Sequence, residues 1–289
     1  MKFSMYSGFS PRINSLGPER AADSAASLGF SGVELFCVAK KEYMMSLEDA
    51  SKYKNIFSER GLSVACYSAA GSLARYDNID EVNEDVLSCM LHCVEVAAAL
   101  GSKNFHHTLF FSLEPEHSHF DFERIYKTVL PAAKKIAARA AELGITVLYE
   151  PQGFYFNGLE SFSRFFDEML KEYSNVGVCG DVGNSLWVDE PVYEIFKKYI
   201  NYIPHVHLKD YILGNPEDMP DVKQRTRSGR AIKDVPIGAG EIDLKRIFTM
   251  LKGVNYSGFV SLEHGGAGGD LDAEAKIAMK LAEEIYNNI

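Results

Sequence analysis

Four side chains able to bind a hard divalent cation stand at or near the ends of four short apolar runs. Glu150 follows Val147-Leu148-Tyr149, Asp181 follows Val178-Cys179-Gly180, and Glu263 follows Val260-Ser261-Leu262. His207 lies in His205-Val206-His207-Leu208-Lys209-Asp210. A lone carboxylate at a strand end is usually a cap or a surface charge, but four ligand types on successive runs are harder to assign to capping. Three carboxylates sharing one place would repel each other, and a dication is the natural remedy. Three oxygens and one imidazole favour Mn2+ or Mg2+, with Co2+ or Zn2+ able to substitute. Coordination positions would remain for two substrate oxygens. The expectation is one divalent metal ion on Glu150, Asp181, His207 and Glu263.

Such convergence needs a scaffold. Strand candidates cover 3–9, 32–36, 63–68, 103–107, 146–150, 176–181, 205–209 and 259–263, and helical stretches separate them. Within 243–253, Leu244, Ile247, Phe248 and Leu251 repeat at helical spacing, with Asp243 as N-cap and Gly253 as stop. Ser46-Leu47-Glu48-Asp49 resembles a capping box, and 80–100 places Val82, Val86, Met90, Val94 and Ala97 on one side. Eight strand–helix units match an α/β (β/α)8 TIM barrel, 1–289 as a single domain, whose active site lies at the C-terminal strand ends. A doubly wound sheet would show a glycine-rich phosphate loop after its first strand, and Ser7-Gly8-Phe9-Ser10-Pro11 is not one.

One connection, about 211–242, is far longer than an ordinary βα loop and rich in Gly and Pro, which predicts a lid or binding loop. Lys223, Arg225, Arg227, Arg230 and Lys233 cluster there. Either Arg225 and Arg227 clamp an anionic substrate, or the cluster is a solvated face or a subunit contact. Other substrate-binding candidates are Asn184, which can hydrogen-bond a hydroxyl, Trp187, an apolar wall for a sugar ring, and Lys209. His107 is expected to face the mouth and His106 the helix layer. Glu34 is read as ending its strand, either touching substrate or capping the next loop. His264 is adjacent to a ligand, and the Gly265-Gly266-Ala267-Gly268-Gly269 run reads as a mouth loop.

The 289 residues carry 30 Lys+Arg against 40 Asp+Glu, a net charge of −10, which disfavours nucleic-acid partners. No apolar run is long enough to span a bilayer. The N-terminus lacks the apolar stretch of a secretory signal, and five cysteines without a Cys-x-x-Cys pair read as reduced thiols, so a cytoplasmic location is expected.

The chain resembles the xylose isomerase-like TIM-barrel superfamily of sugar and sugar-phosphate isomerases and epimerases, with ketose 3-epimerases and inosose dehydratase as relatives. The matching segments are Gly32-Val33-Glu34-Leu35, Tyr149-Glu150-Pro151, Gly180-Asp181-Val182-Gly183-Asn184, His205 to Asp210, Gly238 to Asp243, and Gly258 to Glu263. The resemblance implies that Glu150, Asp181, His207 and Glu263 bind one metal. It also implies that Glu150 and Glu263 move protons to and from a metal-stabilised enediolate. The expected activity is isomerisation or epimerisation of a monosaccharide, keto-sugar or sugar phosphate. The alternative is a lyase acting on a keto-sugar, keto-inositol or 3-keto-glycoside. A remote alternative, an endonuclease IV-like apurinic endonuclease, would need extra histidines that this chain lacks. Two departures stand out: Asn184 where many relatives have His, and Leu213 where ketose 3-epimerases commonly carry Arg. A homo-oligomer is expected by analogy with the family.

Overall fold

Alternation along each strand decides what faces the helices and what faces the barrel axis. In the computed structural model, which describes residues 1–113, 120–263 and 270–289, ten strands form. They are β1 (Lys2–Met5), β2 (Gly32–Val38), β3 (Ser63–Ala70), β4 (Asn104–His107), β5 (Thr146–Tyr149), β6 (Val176–Asp181), β7 (His205–Leu208), β8 (Asp210–Gly214), β9 (Ala231–Val235) and β10 (Phe259–Leu262). Strands β1 to β7 and β10 pair in parallel and close a barrel in which β10 lies between β7 and β1. Outward residues such as Phe3, Met5, Val33, Leu35, Tyr67, Phe105, Val147, Tyr149, Val178, Val206, Leu208 and Val260 are buried in one apolar layer. That layer is the main hydrophobic contribution to folding.

The helices packed outside are α1 (Phe9–Leu16), α2 (Pro18–Leu28), α3 (Leu47–Ser58), α4 (Glu84–Ala99), α5 (Phe122–Glu142), α6 (Leu159–Leu170), α7 (Tyr193–Tyr199), α8 (Leu244–Gly253) and α9 (Leu271–Asn287). The Asp243 side chain accepts the Arg246 N–H at 3.0 Å, and Ser46 accepts that of Asp49 at 3.0 Å, so both expected caps form. Helix α4 starts later than expected, at Glu84, because Asn83 caps it through the Val86 N–H. The first strand stops at Met5 rather than running to residue 9. Gly8 takes a left-handed φ of 78° and turns the chain into α1.

The inner face is unusually polar. It holds a small cluster of Cys66, Leu148 and Cys179, and above it the buried Ser4, Glu34, Ser68, His106, His205, His207 and Ser261. All five cysteines are free thiols. Among the described residues, no helix is long and apolar enough to cross a membrane. The long connection after β7 is partly regular: within it, β8 and β9 pair as an antiparallel ribbon from Asp210↔Val235 to Gly214↔Ala231. His264 and Gly265 to Gly269 lie outside the described residues.

Candidate active site

Residues 148 and 150, 179 and 181, 205 and 207, and 261 and 263 share strand parity, so each second member continues an inward column at the barrel's C-terminal rim. Glu150, Asp181, His207 and Glu263 come from β5, β6, β7 and β10, four neighbours around the barrel. One ligand atom from each lies within 4.8 Å of all the others. His207 Nδ1 is 2.7 Å from Glu150 Oε1 and 3.0 Å from Glu263 Oε2.

The interior network sets which imidazole nitrogen faces this cluster. Glu34 Oε1 accepts the Nε2–H of His207 at 3.1 Å and the Ser68 hydroxyl at 2.5 Å. Its Oε2 accepts His205 Nε2–H at 2.7 Å and Ser261 Oγ–H at 2.5 Å. Burial alone would raise the Glu34 carboxyl, but His207 and His205 outweigh it and hold the group well below its usual range. Glu34 therefore neither ends its strand nor caps a loop. Strand β2 continues to Val38, and Glu34 is fully buried on the axis. Tyr6 stacks on the His207 ring at 5.0 Å.

The pair on β4 is reversed from expectation. His106 points inward: its Nδ1 meets Ser68 Oγ at 3.3 Å, its Nε2 is 3.3 Å from Gln152 Nε2, and the same nitrogen is 3.7 Å from Glu150 Oε2. Burial and neighbouring His207 push it down to about 3, so it is a neutral imidazole. His107 turns outward. It lies against Phe105 and Tyr149 and bonds the Thr108 carbonyl at 3.0 Å, away from the mouth. Strand parity is the reason: Phe105 belongs to the outer layer, so 107 does too. That signal was present in the sequence.

Asp181 Oδ1 accepts the backbone N–H groups of Gly183 at 2.8 Å and Asn184 at 2.6 Å, leaving Oδ2 toward the cluster. Buried Lys209 places Nζ 2.9 Å from Asp181 Oδ2, 3.0 Å from Glu263 Oε2 and 3.3 Å from Asn184 Oδ1. The carboxylate contacts are ion pairs without good hydrogen-bond geometry, so both oxygens keep lone pairs for another partner. Burial pushes Glu150 up to about 7, and the charges of Asp181 and Glu263 add to this against the pull of His207. At Glu263, Lys209 and His207 overcome burial and hold the carboxyl down at about 2. Crowded acidic oxygens, two of them without a hydrogen bond, and a correctly turned imidazole are a donor set that fits a divalent cation.

A cavity of about 400 Å3 opens over this cluster, lined by Glu150, Gln152, Asn184, Trp187, Lys209, Glu263 and, from the β8–β9 ribbon and its loop, Tyr211, Gln224 and Asp234. Asn184, Trp187 and Lys209 are thus gathered at the mouth, where Trp187 meets Tyr211 edge-on at 6.1 Å between centroids. Arg225 and Arg227 are not in this wall. They border a second cavity together with Thr226, whose hydroxyl donates to Asp189 at 2.8 Å and fixes this segment beside the mouth. Sequence reading missed Gln152, Tyr211 and Asp234 as cavity residues. Asp234 carries no motif, and only the pairing of β8 with β9 delivers it to the mouth.

Residues 22–285 match the family model described as xylose isomerase-like TIM barrel. The chain belongs to that family. This xylose isomerase-like barrel is 31% identical over 144 residues to an inosose dehydratase of Clostridium perfringens, a match covering 49% of this chain and 48% of that protein, about half of either. It is 25% identical over 258 residues to an inosose dehydratase of Clostridium botulinum, covering 85% of this chain and 81% of that one. Among solved structures it superposes on a 3-keto-D-glucoside 4-epimerase of E. coli with a TM-score of 0.72 and 19% identity, covering 98% and 99% of the two chains. The last likeness shows the shared fold.

Proposed function

We propose that this chain is a divalent-metal-dependent lyase that dehydrates a cyclic keto-polyol of the inosose class. The observation that carries this reading is the convergence of Glu150, Asp181, His207 Nδ1 and Glu263 within 4.8 Å beneath a cavity that also holds the Asp234 carboxyl. A dication on those four groups would withdraw electrons from a chelated carbonyl and hydroxyl and acidify the C–H beside them.

The rest of the chemistry belongs to side chains. Glu150 and Glu263 are the outer members of the four-strand run and both line the cavity, so a carboxylate is available on each flank of a bound ring to take the α-proton. Elimination then breaks the C–O bond β to the carbonyl and forms C=C, with no net redox change. The departing hydroxyl leaves as water when it receives a proton. Asp234 faces the same cavity from β9. Burial raises its carboxyl, and the Glu263 charge adds to this against the pull of Lys209, so it suits the role of donor. Trp187 and Tyr211 supply apolar surface for the ring, and Asn184 and Lys209 supply polar grip.

The names of the curated relatives support dehydration over epimerisation. Return of the proton to the opposite face, without loss of hydroxide, would make the same site an epimerase. The test is incubation of Mn2+-loaded protein with an inosose in D2O, followed by mass spectrometry. Loss of one water is the expected result. Deuterium uptake at the α-carbon without water loss favours the epimerase, and no exchange with any cyclic keto-polyol removes both readings.

A further inference from the structure

Next to the mouth lies a second cavity, also of about 400 Å3, walled by Leu113, Phe122, Phe154, Tyr155, Arg225 and Arg227. Leu113 belongs to both walls, and chain neighbours divide between them: Gly153 and Gln224 face the mouth, Phe154 and Arg225 the second cavity. The two spaces are adjoining compartments along one stretch of surface. An unsubstituted six-membered ring needs only the first.

The second compartment holds unspent positive charge. The Arg225 guanidinium donates to the Val222 carbonyl at 2.6 Å and the Gln224 carbonyl at 2.9 Å, and that of Arg227 donates to the Phe154 carbonyl. Among the described residues, no carboxylate lies within ion-pair distance of either, although the chain carries ten more acidic than basic residues. Among the described residues, most of these guanidinium N–H groups have no partner, and their fork geometry suits a phosphate or carboxylate.

The segment that presents them is built rather than loose. Asp189, at a left-handed φ of 60°, accepts the Thr226 hydroxyl at 2.8 Å, the Ser228 N–H at 2.7 Å and the Ser228 hydroxyl at 2.8 Å. The Arg227 N–H donates to the Trp187 carbonyl at 2.8 Å, which ties the segment to the mouth wall itself. Preorganised donors bind with less loss of conformational entropy.

We infer that the two compartments form one substrate site, and that the substrate is a keto-polyol ring carrying an oxyanion group, bound by Arg225 and Arg227 beside an aromatic wall. This rests on the function proposed above for the ring end.

The test has two arms. In the first, kcat/KM is measured for a neutral keto-polyol and for matched phosphate-ester and carboxylate derivatives. A preference of tenfold or more for one oxyanion form is expected, and which derivative wins identifies the group. Arg225→Gln and Arg227→Gln should each cut that preference at least fivefold through KM, with Arg227→Lys recovering part. Equal use of neutral and anionic rings, or a loss that leaves the preference unchanged, overturns the inference. The second arm is calorimetric binding of inorganic phosphate to wild type and Arg227→Gln, which needs no turnover. Arg227-dependent binding in a protein that turns over no keto-polyol supports this site while the ring chemistry fails. Turnover of a neutral ring with no Arg-dependent phosphate binding does the reverse.

Discussion

Glu34 and His207 face each other across the barrel axis at 3.1 Å, and the bond between them leaves His207 Nδ1 as the nitrogen directed at Glu150 and Glu263. A ligand histidine whose second N–H is held by a carboxylate is fixed in tautomer and ring angle, and is a more basic donor. Glu34 is itself kept charged by two histidines and two hydroxyls, so the orientation of the ligand depends on residues far below the rim.

Glu34→Gln should therefore weaken divalent-metal binding by about 10–100-fold while leaving the four ligands in place. Competition with a chromophoric chelator measures this. Unchanged Mn2+ affinity would remove Glu34 from the metal site's support.

Metal occupancy should couple to folding. A ligand at 100 times its dissociation constant stabilises the native state by about 2.7 kcal/mol, so Mn2+ should raise Tm by several degrees in wild type. Asp181→Asn and His207→Ala should each abolish that shift. A Tm rise of the same size in both variants would show that the ion binds elsewhere.

Asp234→Asn separates the two halves of the proposed reaction. The variant should keep deuterium exchange at the α-carbon and lose water elimination by tenfold or more, the usual range for a general acid being about 10^2–10^4. Equal losses in both rates would mean that Asp234 positions substrate and does not protonate the leaving group.

The two histidines of β4 should behave differently. His106→Asn disturbs groups beside Glu150 and should lower turnover with little change in Tm. His107→Asn should cost about 1–3 kcal/mol of stability by placing an ill-fitting polar group in the outer layer, with turnover of the folded fraction retained. Thermal melts and initial rates on the same preparations check both, and the reverse pattern would refute the placement.

Asp210 is the anchor of the β8–β9 ribbon. Its carboxylate accepts the N–H groups of Tyr211, Gly238 and Gly240 at 2.9 Å and that of Ile242 at 3.2 Å. A Cβ on Gly240 would sit 2.1 Å from Asp210 Oδ1. Asp210→Ala should expose amides 238–242 to faster hydrogen exchange and raise KM, because Tyr211, Gln224 and Asp234 lose their fixed position. Unaltered exchange there would mean that the ribbon is held by other contacts.

Strand alternation and the C-terminal rim rule were enough, from sequence, to order eight barrel strands and to bring Glu150, Asp181, His207 and Glu263 to one rim. Both follow from local periodicity, since inward residues recur every second position and the ligands lie within one residue of the strand ends. His106 was equally legible, had the parity of Phe105 been applied along β4. The axial place of Glu34, the delivery of Asp234 to the mouth, and the position of Arg225 and Arg227 beside a second cavity were not. Glu34 is defined by partners from β3, β7 and β10, Asp234 by a ribbon that pairs residues 210–214 with 231–235, and Arg225 and Arg227 by the Asp189 clamp on Thr226 and Ser228. Those are contacts between residues distant in the chain or set by loop geometry, and no local repeat encodes them; only the closed barrel and the ribbon beside its mouth bring them together.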